Sequence, residues 1–267
     1  MSETQIADEG EGSPAEIYDC CFVPALFRQW GSVVADVARV RPGQRVLDVA
    51  CGTGALTAAV CERVGPTGTV VGLDANPQML EVARRKDLDV EWRDGSAEAL
   101  PFDSGSFDAV VSQFGLMFFS DRSTALREMT RVLRPGGRLA VAVWDALERS
   151  PGYLALAELL QRLFGQDVAD AFRAPFVLGD MERLQSICDE AGLDGATVSQ
   201  HAGSVRFDSI AALVSTERSC AWTLGGLLDA DQFTRLLTEA QTALRPFQDA
   251  GGQVVFELPA LIICWDS

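Results

Sequence analysis

The stretch Val46-Leu47-Asp48-Val49-Ala50-Cys51-Gly52-Thr53-Gly54 decides the reading of this chain. Residues 46–50 are short, Val-rich and apolar apart from one carboxylate, which is the pattern of a buried strand. Two glycines follow where that strand must turn into a helix, and a backbone without side chains there lets a ligand approach closely. In open α/β sheets ligands bind at this carboxyl edge. Asp74 ends the next apolar run twenty residues after Gly54. A carboxylate at that place can accept hydrogen bonds from both hydroxyls of a ribose.

The rhythm continues outward from this turn. Runs at 46–50, 69–73, 90–92, 107–112 and 138–144 read as buried strands, and 55–64, 78–86 and 124–133 read as helices between them. Strand, helix and strand in repetition specify an α/β doubly wound parallel sheet. After Asp145 the strand beat stops. Leu154 to Phe164 carries helical periodicity, 180–191 is a helix ended by Gly192, and 196–207 alternates loosely as a strand. A helix over 229–244 stops before Pro246, and 254–264 is a final strand. Residues 15–40 place apolar side chains at three- and four-residue steps, the pattern of one or two helices. The organisation expected is an acidic mobile tail over 1–14 and a single domain over 15–267. Within it, 15–40 form a helical lid, 41–145 the ligand-binding core, 146–250 cap helices with a sixth strand, and 251–267 the final strand.

Composition narrows the class. The chain has 267 residues, 48% hydrophobic, enough for a sizeable core. With 22 Lys and Arg against 38 Asp and Glu, its net charge of -16 repels phosphate backbones and anionic lipid, so neither nucleic acid nor membrane is an expected partner. No apolar run has the length of a membrane helix and no leader pattern opens the sequence, so a soluble cytoplasmic protein is expected. The 7 cysteines form no CxxC pair and read as reduced thiols. With 1 histidine and no ligand cluster, no metal is expected.

A dinucleotide site would share the glycine turn and Asp74. Its fingerprint asks for a small residue where this chain has Thr57, and it does not explain Asp48 inside the strand. A ligand carrying a sulfonium and an ammonium group does, because an acidic side chain nearby favours both cations.

Four motifs stand in order over about residues 46–144: Leu47-Asp48-Val49-Ala50-Cys51-Gly52-Thr53-Gly54; Gly72-Leu73-Asp74; Ala97-Glu98-Ala99-Leu100-Pro101-Phe102 with Ser106-Phe107-Asp108; and Leu133-Arg134-Pro135-Gly136-Gly137. Together they closely resemble class I S-adenosylmethionine-dependent methyltransferases, and more narrowly the ubiquinone and menaquinone biosynthesis methyltransferases. The resemblance implies a Rossmann-like sheet of seven strands with the last antiparallel, carrying an N-terminal helical lid and inserted cap helices. It implies S-adenosylmethionine as cofactor and S-adenosylhomocysteine as product. Asp48, Gly52 and Gly54 would line the cofactor's amino-acid portion, Asp74 would hold its ribose, and Ala50 and Thr53 are cofactor-binding candidates beside them. Ala75 and Met79 would flank the adenine, whose ring nitrogen the backbone of Ala97 would read. Ser96 stands where relatives usually have an aspartate for the adenine amino group, and serine accepts that bond without charge. Gln113 corresponds to a position near the transferred methyl.

The expected reaction is methyl transfer to a small, apolar or aromatic acceptor by in-line displacement, in a monomer or homodimer. The rival readings are a nicotinamide-dependent oxidoreductase and a noncatalytic S-adenosylmethionine-binding module. A sulfonium is already a good leaving group, so alignment and exclusion of water matter more than side-chain chemistry. Tyr18, Tyr153 and His201 are candidates for a base, should the acceptor arrive protonated, with packing as the competing role for each. Cys51 reads as an inert buried thiol. Tyr18, Phe22, Trp30, Phe118 and Trp144 are expected to wall the acceptor pocket. Phe27, Leu154, Phe172, Phe176 and Trp222 lie in segments free to join them.

Overall fold

The computed structural model describes residues 12–220 and 223–267. The expected tail therefore lies outside the described residues up to residue 11, and Trp222 does too. Ser13 and Pro14 are no tail: they open α1, Pro14–Ile17. The Ser13 hydroxyl accepts from the Glu16 amide at 3.3 Å, while the Glu16 carboxylate accepts from the Ser13 amide at 2.7 Å. This reciprocal cap satisfies two helix-end donors. Residues Tyr18–Phe27 then wind as a π-helix around Pro24, and α2 spans Arg28–Val37. Proline has no amide hydrogen and crowds the carbonyl four residues back, so a wider winding accommodates it.

The core follows the alternation expected from the sequence: β1 Arg45–Val49, α3 Ala55–Val64, β2 Thr69–Asp74, α4 Pro77–Arg84, β3 Val90–Asp94, β4 Phe107–Gln113, α5 Arg122–Arg131 and β5 Leu133–Trp144. Next come α6 Pro151–Phe164, α7 Gln166–Arg173, α8 Met181–Glu190, β6 Thr197–His201, β7 Ser204–Phe207, α9 Ile210–Ser219, α10 Ala230–Ala243, β8 Val254–Glu257 and β9 Ala260–Asp266. Seven strands form one sheet in the order β3-β2-β1-β4-β5-β9-β6. Neighbours from β3 to β5 are parallel, and β9 runs antiparallel to both β5 and β6. The strand order reverses between β1 and β4, which opens a crevice at their carboxyl ends.

Two segments expected as single strands are each divided. Residues 196–207 break at Ala202 and Gly203, and 254–264 break at Leu258 and Pro259. The inner pieces β7 and β8 pair with each other in a separate two-stranded sheet, while β6 and β9 join the main one. At the crossing, the Leu258 amide donates to the Gly203 carbonyl at 2.8 Å, and Pro259, with no amide to give, offers its carbonyl to the Asp145 amide at 3.2 Å. Helices α7 and α9 are additional to the elements expected from the sequence.

Trp30, expected on the acceptor wall, is 0% exposed. It meets the rings of Phe114 and Trp144 edge-on at 5.8 and 6.1 Å, and a Cβ on Gly203 would come within 2.1 Å of it. The ring belongs to the core and supports the wall from behind. Trp30→Ala should cost about 3–5 kcal/mol of unfolding free energy in urea denaturation, the range for deleting a buried aromatic. A loss under about 1 kcal/mol, the size of ordinary surface changes, would place the ring outside the core.

Candidate active site

The turn after β1 is built from backbone that few residues tolerate. Ala50, Gly52 and Gly54 have φ of 57°, 56° and 86°. At Gly54 glycine is required twice over, because the backbone is left-handed and a Cβ would approach the Trp92 ring to 2.8 Å. Hydrogen bonds from the Cys51 amide to the Leu73 carbonyl at 3.1 Å and from the Gly54 amide to the Cys51 carbonyl at 2.8 Å fix the turn. The Gly52 amide donates to Asp74 Oδ2 at 2.7 Å, and the Asn76 amide donates to Asp74 Oδ1 at 2.8 Å. Each carboxylate oxygen accepts one of these bonds and keeps a second lone pair for hydroxyl donors. Burial raises the Asp74 pKa, and the two amides pull it back down.

Asp48 sits behind this turn, fully buried. Its Oδ2 accepts from the Thr57 hydroxyl at 2.6 Å, and its Oδ1 has no partner among the described residues. Burial, with a smaller push from Asp74, raises its pKa to about 7 against the Thr57 hydrogen bond. An orphaned acidic oxygen under a glycine turn is chemically suited to a cationic group, and a carboxylate with spare lone pairs, as at Asp74, to paired hydroxyls.

A cavity of about 510 Å³ opens in front of the turn, within the roughly 300–1,000 Å³ of small-molecule sites. Ala50, Gly52, Asp74, Ala75, Met79, Ser96, Ala97 and Gln113 line it. The Ser96 hydroxyl donates to Glu98, whose other oxygen accepts from the Ser120 amide at 3.0 Å. Burial acts to raise the Glu98 pKa, but these donors outweigh it and hold the carboxylate below its ordinary value. Asp48, Thr53 and Gly54 do not reach the wall: Asp48 and Thr53 are buried behind it, and Gly54 faces Trp92. Their part in a site is to shape and charge its floor.

The remaining walls are aromatic. Tyr18, Phe22, Leu26 and Phe27 of the N-terminal segment line the cavity, facing Phe114, Phe118, Phe119, Trp144, Phe172 and Phe176. Phe114 and Trp144 stack at 3.6 Å, and Phe27 lies 5.6 and 5.8 Å from them. The segment is tied down at several places, among them these three. Gln113 Nε2 donates to the Phe27 carbonyl at 3.2 Å, Lys86 pairs with Asp19 at 2.6 Å, and Ala15 packs against Met79 and Val82. Gln113 Oε1 is buried with no partner among the described residues.

Tyr18, Phe22, Phe118 and Trp144 are thus brought together, whereas Trp30 and Leu154 stand off the wall. His201 is corrected as a candidate base. It lies on edge strand β6 with Nε2 at 2.9 Å from Ser199 Oγ, away from the cavity. Tyr153 does line the cavity, and its hydroxyl donates to Glu217 Oε1 at 2.8 Å. Glu217, on α9, was not foreseen. Its signal is an acidic residue at the fourth place of the buried stripe Ile210, Leu213, Val214, Glu217, where helical spacing calls for an apolar one. No group of three or more metal-ligating side chains occurs among the described residues.

The model of the ubiE/COQ5 methyltransferase family matches residues 22–211 of this chain. The chain belongs to that family. It is 40% identical over 187 residues to the ubiquinone/menaquinone biosynthesis C-methyltransferase UbiE of Hahella chejuensis, covering 63% of this chain and 74% of the relative. The Burkholderia mallei UbiE is 37% identical over 201 residues, covering 67% and 82%. Among solved structures, the YcgJ protein of Bacillus subtilis superposes with a TM-score of 0.59 at 22% identity, over 90% of this chain and 98% of that one. A phosphoethanolamine N-methyltransferase of Haemonchus contortus, in complex with S-adenosylhomocysteine, gives 0.58 at 16%, over 94% and 56%. These two likenesses carry the fold alone. This member of the family is an S-adenosylmethionine-dependent methyltransferase of small molecules, and nothing favours the oxidoreductase or the noncatalytic module.

The buried charge of Asp48 has a measurable cost. A carboxyl whose folded pKa is raised from 3.8 to about 7 stabilises the fold below the lower value and loses that contribution as pH rises through the upper one. Asp48→Asn removes the titration. Its unfolding free energy should therefore gain on the wild type between pH 5 and pH 8, by about 2.5 kcal/mol. Urea denaturation at the two pH values measures the gap, and a gap independent of pH would remove the charge from Asp48.

Proposed function

We propose that the cavity holds S-adenosylmethionine against the glycine turn, with Asp74 on the ribose, Met79 and Ala75 beside the adenine, and Ser96 and the Ala97 backbone on its polar edge. Bound there, the cofactor supplies a methyl group on a positively charged sulfur. Asp48 acts through the floor, favouring the adjacent cation without touching it. Gln113 holds the N-terminal segment across the opening through the Phe27 carbonyl, so the segment excludes water from the reacting groups.

The acceptor on this reading is a small apolar or aromatic molecule. The observation that carries it is the wall itself: ten aromatic side chains from Tyr18 to Phe176 and, among the described lining residues, no Lys or Arg to clamp a phosphate or carboxylate. The C-methylation named for the UbiE relatives makes aromatic rings the first acceptors to test. Neither nucleic acid nor membrane suits a net charge of -16. The 7 free cysteines favour the reducing cytoplasm.

Asp74→Ala should weaken S-adenosylhomocysteine binding by about 1.5–3 kcal/mol in calorimetry, the range for hydrogen bonds to a charged group. An unchanged dissociation constant with an unchanged circular dichroism spectrum would remove Asp74 from the ribose site. Adding the same ligand should slow amide exchange around Tyr18 and Phe22. Exchange that stays the same there, while the ligand binds, would count against a closing segment.

A further inference from the structure

Glu217 is the one carboxyl in the acceptor part of the cavity that the cofactor leaves unused. It is 2% exposed, held by a 2.8 Å hydrogen bond from the Tyr153 hydroxyl to Oε1, and its Oε2 has no partner among the described residues. The Thr223 hydroxyl, on the same wall, donates to the Glu217 main-chain carbonyl at 3.1 Å, fixing the end of α9. A pair present only for packing would satisfy both oxygens, because an unpaired buried acceptor costs about 1–3 kcal/mol and more when charged. Here one oxygen is held and the other is buried without a partner among the described residues, on a residue that lines the cavity together with Phe172 and Phe176. That division is what a hydrogen-bonding site for a ligand requires.

We propose that Glu217 binds and deprotonates a hydroxyl group of an otherwise apolar aromatic acceptor, with Tyr153 as the positioning residue that aims it. In the step, the acceptor's O–H bond breaks, the proton passes to Glu217 Oε2, and the electron pair stays on the acceptor oxygen. The aromatic oxyanion so formed is the more electron-rich partner for the methyl cation equivalent, and the neutral carboxyl afterwards returns its proton to water. This inference rests on the methyl-transfer reading and adds the substrate's functional group to it.

Electrostatics agrees with the geometry. Burial raises the Glu217 pKa to about 7, against the Tyr153 hydrogen bond and the nearby Thr223 hydroxyl. A phenol of ordinary pKa near 10 is then about 3 units away, where an exposed glutamate would be more than five. The other titratable groups facing this corner are Tyr153 of α6, Cys220 at the end of α9 and Tyr18 of the N-terminal segment. Burial pushes both tyrosines above their usual values, so neither competes as a base at neutral pH.

The test compares 2-naphthol with naphthalene as probes for the full-length protein, with and without S-adenosylhomocysteine, by fluorescence titration. At pH 8 the wild type should bind 2-naphthol at least about tenfold tighter than Glu217→Gln does, the effect of about 1.4 kcal/mol from a charge-assisted bond. Naphthalene should bind both proteins alike, which shows the pocket intact. At pH 6, with Glu217 protonated, the two proteins should converge. Tyr153→Phe removes a donor that favours the carboxylate, so the midpoint of this pH dependence should move upward. Equal affinity of wild type and Glu217→Gln for 2-naphthol at pH 8, equal losses for both probes, or no saturable binding of 2-naphthol would each overturn the proposal. Failure of S-adenosylhomocysteine to bind the wild type strikes the cofactor reading instead, and the naphthol comparison without it still decides the role of Glu217.

Discussion

The Asp74 carboxylate is the joint on which the site depends. It lies at the end of β2 yet accepts the Gly52 amide from the turn after β1 and the Asn76 amide from the turn before α4. Two adjacent crossovers of the sheet are thereby locked to one side chain. The locking is needed because the β1 turn is intrinsically unfavourable. Ala50 adopts a left-handed conformation that costs an L-residue roughly 1–2 kcal/mol. Fixed donors around a buried carboxylate offset that cost and leave its outer lone pairs aimed at the cavity. The geometry of both turns is thus set by the same two hydrogen bonds.

The N-terminal segment depends on that joint in turn. Its aromatic side chains have no core of their own; they fill the space between α4, the end of β4 and the end of β5. Pro24 matters here, since the π winding around it turns Tyr18, Phe22 and Phe27 toward one cavity. The buried face is continuous with the protein core through Phe27, Phe114, Trp144 and Trp30. A segment built this way is coupled to what lies beneath it, because a change at Phe114 or Trp144 moves the rings that support its aromatic face.

What the sequence made legible follows the strength of its local signals. The five parallel strands are Val-rich runs bounded by turn residues, and α3 was expected at residues 55–64, where it stands, since Gly54 and Gly65 punctuate it. The divided strands were illegible, because nothing local distinguishes a strand that changes sheets at Gly203 or Pro259 from one that continues. Helix α9 was missed because Thr216, Glu217 and Ser219 dilute its apolar stripe. Glu217 was therefore hidden together with its helix. Trp30 shows the converse error. Aromatic content in a segment that lines a cavity does not tell which ring faces inward; only the close packing of Gly203 settles that Trp30 faces the core.

Three of the acidic groups around the cavity, Glu98 apart, have one physical logic. Asp48, Asp74 and Glu217 lie within or behind a wall whose described residues include no Lys or Arg. In the free protein burial favours their protonated forms, with a smaller push from Asp74 on Asp48, and Asp48 and Glu217 each have a pKa raised to about 7. A ligand bearing two positive charges reverses that balance next to Asp48, because an opposite charge within a few ångströms favours the ionised form. Binding such a ligand must then release a proton near neutral pH, whereas a neutral aromatic hydroxyl at Glu217 exchanges one without changing the cavity's net charge. On the proposed reading the site is electrostatically divided, with a floor suited to cations and a far wall suited to a neutral group that can give up a proton. A polyanion suits neither half, an argument against dinucleotides that is independent of the glycine pattern.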